Sequence, residues 1–97
     1  MSGRRNSVVA VGALIRGRVQ GVWYRGWTED EASRRGLDGW VRNNEDGTVS
    51  ALFVGPGAAV DAMLAACREG PLAARVDEVE AVPAAVPEGL SGFRVLR

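Results

Sequence analysis

Histidine and lysine are both absent from this 97-residue sequence, and cysteine occurs once, at Cys67. Without histidine there is no imidazole to carry protons near neutral pH and no histidine metal ligand. With a single thiol, no internal disulfide can form and no cysteine cluster can hold a metal. No apolar run approaches the roughly 20 residues needed to cross a bilayer, and the opening residues do not read as a secretory leader. These absences predict a cytoplasmic chain with no histidine or cysteine-cluster metal site and no membrane partner, and no cofactor is expected. Basic residues, all of them arginine, number 12 against 12 acidic ones, so the formal net charge is +0. Proteins built mainly to hold nucleic acid carry a basic excess, and no nucleic-acid partner is expected here.

The length suits one domain. Residues 1–7, MSGRRNS, are polar and aperiodic and are expected to form a flexible N-terminal tail, with residues 8–97 as the single domain. Val9, Val11, Ala13 and Ile15 alternate along a first strand. From Tyr24 to Arg35 the composition turns helical, with Glu29, Asp30 and Glu31 read as N-terminal charges and Gly36-Leu37 as a left-handed stop. Leu37–Asn43 and Thr48–Val54 read as strands joined by the Asn44-Glu45-Asp46-Gly47 turn. Pro56 lies near the start of a second helix whose apolar stripe is Val60, Met63, Leu64 and Cys67. A weaker strand over Val76–Val82 and a short one over Phe93–Leu96 complete the chain. The order predicts an α+β fold of ferredoxin-like type, the split βαβ pattern, with an antiparallel sheet and both helices on one face.

Function must then come from a site, because this fold serves many unrelated activities. The first strand runs into two glycines, Gly17 and Gly21, and Arg25 stands at the opening of the helix that follows. A loop of this kind can turn the backbone N–H groups of Gln20, Gly21, Val22, Trp23 and Tyr24 toward a phosphate-sized anion, with a guanidinium beside them. Arg25 alone would suit a solvated surface, and Asn43 alone would suit a turn. Together they suggest a convergent site.

Two segments carry a resemblance to a known family. One is Gly17-Arg18-Val19-Gln20-Gly21-Val22-Trp23-Tyr24-Arg25. The other runs from Gly39-Trp40-Val41-Arg42-Asn43 through Gly47 and Val49 to Gly55. They resemble the two signatures of the acylphosphatases at every fixed position except Tyr24, where phenylalanine is usual. Arg35 departs mildly, standing where an apolar helix residue is expected. The resemblance implies hydrolysis of the carboxyl–phosphate bond of a small acyl phosphate, with no metal and no covalent intermediate. It further implies that Arg25 binds phosphate and that Asn43 positions the attacking water. The chain is expected to act as a monomer. A phosphate-binding module without catalysis and an RNA-binding domain of similar topology stay open, although the aromatic motif of the latter is missing. Trp23 suits either packing on the domain surface or, the favoured reading, walling the mouth of the site and touching the acyl group. Trp40 is expected on the sheet face away from the helices, and Cys67 as a buried, inert thiol.

Overall fold

The computed structural model describes residues 7–97. Strand β1 (Val8–Arg18) leads to helix α1 (Tyr24–Arg34), a hairpin of β2 (Asp38–Asn43) and β3 (Val49–Pro56), helix α2 (Gly57–Glu69), β4 (Arg75–Ala84) and β5 (Phe93–Val95). Among the described residues the strands form one sheet in the order β4-β1-β3-β2-β5. The first four pair antiparallel, as expected for a ferredoxin-like α+β fold. Strand β5 differs, since it joins β2 in parallel and makes the sheet mixed. Among the described residues no helix is long and apolar enough to cross a membrane. The expected tail lies outside them except for Ser7, whose carbonyl accepts a hydrogen bond from the Gly57 N–H.

Period-two alternation decides which face is covered. Ala13 and Ile15 of β1, Val41 of β2, and Val49, Ala51 and Phe53 of β3 form one buried cluster with Tyr24 and Ala32 of α1 and Val60, Met63 and Cys67 of α2. Both helices therefore lie on that face. The stripe read from the sequence of α2 is the buried one, with Leu64 at its margin. On the opposite face Trp40 lies beside Gly12, Leu14 and Val82, with the Arg42 guanidinium 5.4 Å above its ring. Strand β4 runs longer than its sequence pattern suggests and buries only Val79, as an edge strand can.

Local signals set the boundaries. Helix α1 stops at Gly36 (φ 72°), and the Leu37 N–H reaches back to the Ala32 carbonyl, a Schellman closure. In the β2–β3 turn the Asp46 carboxylate accepts from the Thr48 N–H and hydroxyl, bonds that hold its pKa below the usual value. One expectation fails: Glu29, Asp30 and Glu31 are not N-terminal charges, since the first turn of α1 contains no acid. The helix begins at Tyr24, a turn too early for them to meet its dipole, and Glu31 pairs with Arg34 and Arg35 instead. That pairing also explains Arg35 at a half-buried position.

Tyr24 ties the two helices together. Its buried hydroxyl donates to the Cys67 carbonyl at 2.7 Å, satisfying a carbonyl in the last turn of α2. Burial pushes the Tyr24 phenol well above its ordinary range and the Cys67 thiol up to about 11. The unfolded thiol ionises near 9.0, so between that pH and about 11 the unfolded chain holds fewer protons than the folded one. We expect the unfolding free energy to be flat from neutral pH to about 9 and then to fall, by on the order of 2 kcal/mol from Cys67. Urea denaturation at pH 7, 9 and 10.5 checks this, and the Cys67→Ala variant should show a shallower decline.

Candidate active site

Arg25 and Asn43 meet because of strand register. Ile15 of β1 pairs with Val49 of β3, and Val49 pairs with Asn43, the last residue of β2. The loop that leaves β1 and the turn that leaves β2 thus emerge at the same end of the sheet. An irregularity between Arg16 and Gly17 shifts the register of β1 against β4, and the pairing then runs on to Arg18 opposite Arg75. Val19 and Tyr24, each 1% exposed, then pin both ends of a loop spanning Gln20 to Trp23.

Within that loop Gly21 has φ 74° and Trp23 has φ 67°. Glycine takes such a conformation readily, but for a bulky side chain the left-handed backbone costs about 1–2 kcal/mol. Trp23 is the N-cap of α1 and offers no side-chain cap, so the leading N–H groups of the helix have no side-chain acceptor there. With no acid in the first turn and Arg25 in it, the positive end of the helix dipole is reinforced by a cation. A sequence selected for helix stability alone would put an acid there. This one builds positive potential.

The cleft, of about 220 Å³, is lined by Gly21, Trp23, Arg25, Gly26 and Asn43 above the apolar floor of Val19 and Val95. The Arg25 Nη1 donates to the Leu96 carbonyl at 3.2 Å, just beyond β5. One contact steadies the guanidinium and leaves most of its donor fork for a ligand. Asn43 Oδ1 is, among the described residues, a buried acceptor with no hydrogen-bond partner. Such orphans are rare and mark strain or function. A larger hollow of about 410 Å³ lies at the start of β1, but its lining is apolar apart from Asp61 and presents no array of donors. Size does not pick the site; convergent polar groups do.

The acylphosphatase family model matches residues 11–95. The chain belongs to the acylphosphatase family. It is 64% identical over 74 residues to the acylphosphatase of Rhodospirillum rubrum, a match covering 76% of this chain and 81% of the relative. Its fold superposes on the acylphosphatase crystal structure from Bacillus subtilis with a TM-score of 0.88 at 31% identity, covering 92% of this chain and 99% of that one. An acylphosphatase from Coxiella burnetii gives a TM-score of 0.89 at 28% identity, covering 99% and 100%. Members of this family are hydrolases, and this chain is an enzyme of that class.

Of the site residues read from the sequence, Gly21, Trp23, Tyr24, Arg25 and Asn43 line the cleft, whereas Gln20 and Val22 do not. Tyr24 turns its side chain into the core and offers the cleft only backbone. Gln20, read as a backbone contributor, uses its side chain as a brace: Nε2 donates to the carbonyls of Asn44 and Thr48, each at 2.8 Å. Those bonds join the Gln20–Trp23 loop to the turn that follows Asn43. Asn44 was missed as well; its amide donates to the hydroxyls of Thr48 and Ser50 and stiffens the same turn. So was the Leu96 carbonyl. The polar run Asn43-Asn44 was the available signal for the turn. None existed for Leu96, since any residue supplies a carbonyl.

Replacing Gln20 with alanine removes two half-buried bonds, and we expect a loss of about 2 kcal/mol in urea denaturation at pH 7. Gln20→Glu should cost more, because a carboxylate would face two carbonyl oxygens with no hydrogen to give. Lowering the pH toward 4 should narrow that gap as the carboxyl regains a proton. An alanine variant as stable as the parent would show that the brace is idle.

Proposed function

We propose that this acylphosphatase hydrolyses the carboxyl–phosphate bond of small acyl phosphates, giving a carboxylate and inorganic phosphate, without a metal and without a covalent intermediate. The observation that carries the reading is the unpartnered, buried Oδ1 of Asn43 beside an arginine at the N-terminus of a helix. An acceptor of this kind suits one O–H of a water, while the donors around it suit an anion.

Water attacks phosphorus, the bond from phosphorus to the acyl oxygen breaks, and its electron pair leaves with the carboxylate. A carboxylate is stable at neutral pH, so the leaving group needs no general acid. Charge collects on the three equatorial phosphoryl oxygens, and catalysis of such a transfer is mostly positioning and electrostatics. Arg25 takes two of these oxygens in its fork. The N–H groups of Gln20, Gly21, Val22, Trp23 and Tyr24 take the remaining charge. Asn43 holds the water through Oδ1 and can donate to phosphate through its amide nitrogen. With no histidine in the chain, the water's proton passes to a phosphoryl oxygen of the substrate itself.

The cleft lining includes no carboxylate, and the Arg25 guanidinium repels a divalent cation, which supports the metal-free reading. We take the enzyme to act as a monomer. The single buried thiol fits the reducing cytoplasm, where we place the protein.

Hydrolysis of benzoyl phosphate in excess EDTA tests the proposal. We expect Arg25→Ala to lose at least ~10²-fold in rate, as when an oxyanion donor is removed, together with weaker binding of inorganic phosphate. Asn43→Ala should lower kcat strongly while phosphate binding changes little. Near-native turnover in Asn43→Ala would remove it from the mechanism. A folded wild-type protein that binds phosphate but hydrolyses nothing would be a phosphate-binding module instead.

A further inference from the structure

Trp23 is 63% exposed at the mouth of the cleft, on a left-handed backbone that aromatic residues rarely take. Burial does not explain the ring, since most of it meets solvent. Neither does helix capping, because it caps nothing. The ring is nevertheless seated. A Cβ added at Gly26 would run into Nε1, Cδ1 and Cε2 of the indole, so the pyrrole edge lies across the first turn of α1. That turn also bears Arg25, and ring, guanidinium and Asn43 line one cleft. Glycine in a helix is a poor choice for stability. Its lack of a side chain is what lets the indole close on the backbone.

A phosphoryl group held by the loop amides and Arg25 would sit at the polar side of the cleft, and its acyl substituent would then run along the remaining wall. The exposed apolar part of that wall is the indole. We infer that the Trp23 side chain is the acyl-group platform of this enzyme and that the site favours acyl phosphates with a flat aromatic acyl group over small aliphatic ones. The inference rests on the acyl phosphate hydrolysis proposed above. It adds the substrate class and the residue that selects it.

The test compares kcat/KM for benzoyl phosphate and acetyl phosphate in the wild type, Trp23→Gly and Gly26→Ala. Glycine suits φ 67°, so the first variant removes the ring and relieves the backbone. The second keeps the ring, displaces it and improves helix propensity, so folding is not the weak point. The benzoyl-to-acetyl ratio is read rather than the rates, because damage to the phosphate loop reaches both substrates alike. An aromatic contact of this kind should lower the ratio by about 2- to 10-fold in both variants, chiefly through KM for benzoyl phosphate. A ratio unchanged in both would overturn the assignment while leaving the hydrolase reading intact. If wild type hydrolyses neither substrate, the hydrolase reading has failed. Titration with phenylphosphonate and methylphosphonate then decides the platform. Tighter binding of the phenyl compound that Trp23→Gly abolishes supports it, and equal binding rejects it.

Discussion

The antiparallel pairing of β1 with β3, Val8 opposite Pro56 through Ile15 opposite Val49, is the constraint on which the site depends. It aligns Val79, Ile15, Val49 and Asn43 in one row across the sheet. The first three are buried and apolar. The row ends in an amide, where continuing the pattern would have placed another apolar side chain. Because side chains alternate faces, a slip of one residue in β2 would turn Asn43 to solvent and bring Arg42 onto the core face. The burial of Val41, Val49 and Ile15 therefore fixes the register that holds the candidate water-binding group in place.

Around that row the protein is tied together by bonds between distant parts of the chain. Gln20 braces the loop after β1 to the β2–β3 turn, Tyr24 links α1 to the end of α2, and the carbonyl of Leu96 orients Arg25. Each ends on a backbone carbonyl. Such partners do not depend on what side chain stands at that position. The cost is concentrated at Trp23, an aromatic held in a backbone conformation that other residues avoid. Strain of this kind persists only where the surroundings impose it, and here Val19 and Tyr24 anchor the loop from either side.

Electrostatics follow the same logic. An arginine in the first turn of a helix, with no acid to offset it, opposes the helix dipole when the cleft is empty and serves it when an anion is bound. The acids that looked suited to that role lie a turn further on and satisfy Arg34 and Arg35. The first turn of the helix is thus left with a cation and no acid, the arrangement the proposed anion site requires.

How much could be read before folding was known depends on the range of the interaction. Gly36-Leu37, the Asp46-Gly47 turn and the stripe of Val60, Met63 and Cys67 were legible because each acts within a turn or two of itself. The spacing of Gly17, Gly21, Arg25 and Asn43 marked the candidate site because each residue's chemistry was plain from its own type. Missed were the brace of Gln20, the Leu96 carbonyl on Arg25, the seat of the Trp23 ring on Gly26 and the parallel entry of β5. These join residues far apart in the chain or depend on a backbone angle that no local preference favours. The sequence by itself determined the elements, the apolar faces and the chemical groups of the site. Only the tertiary structure decided which groups face one another, because that follows from strand register and helix packing acting on the whole chain at once.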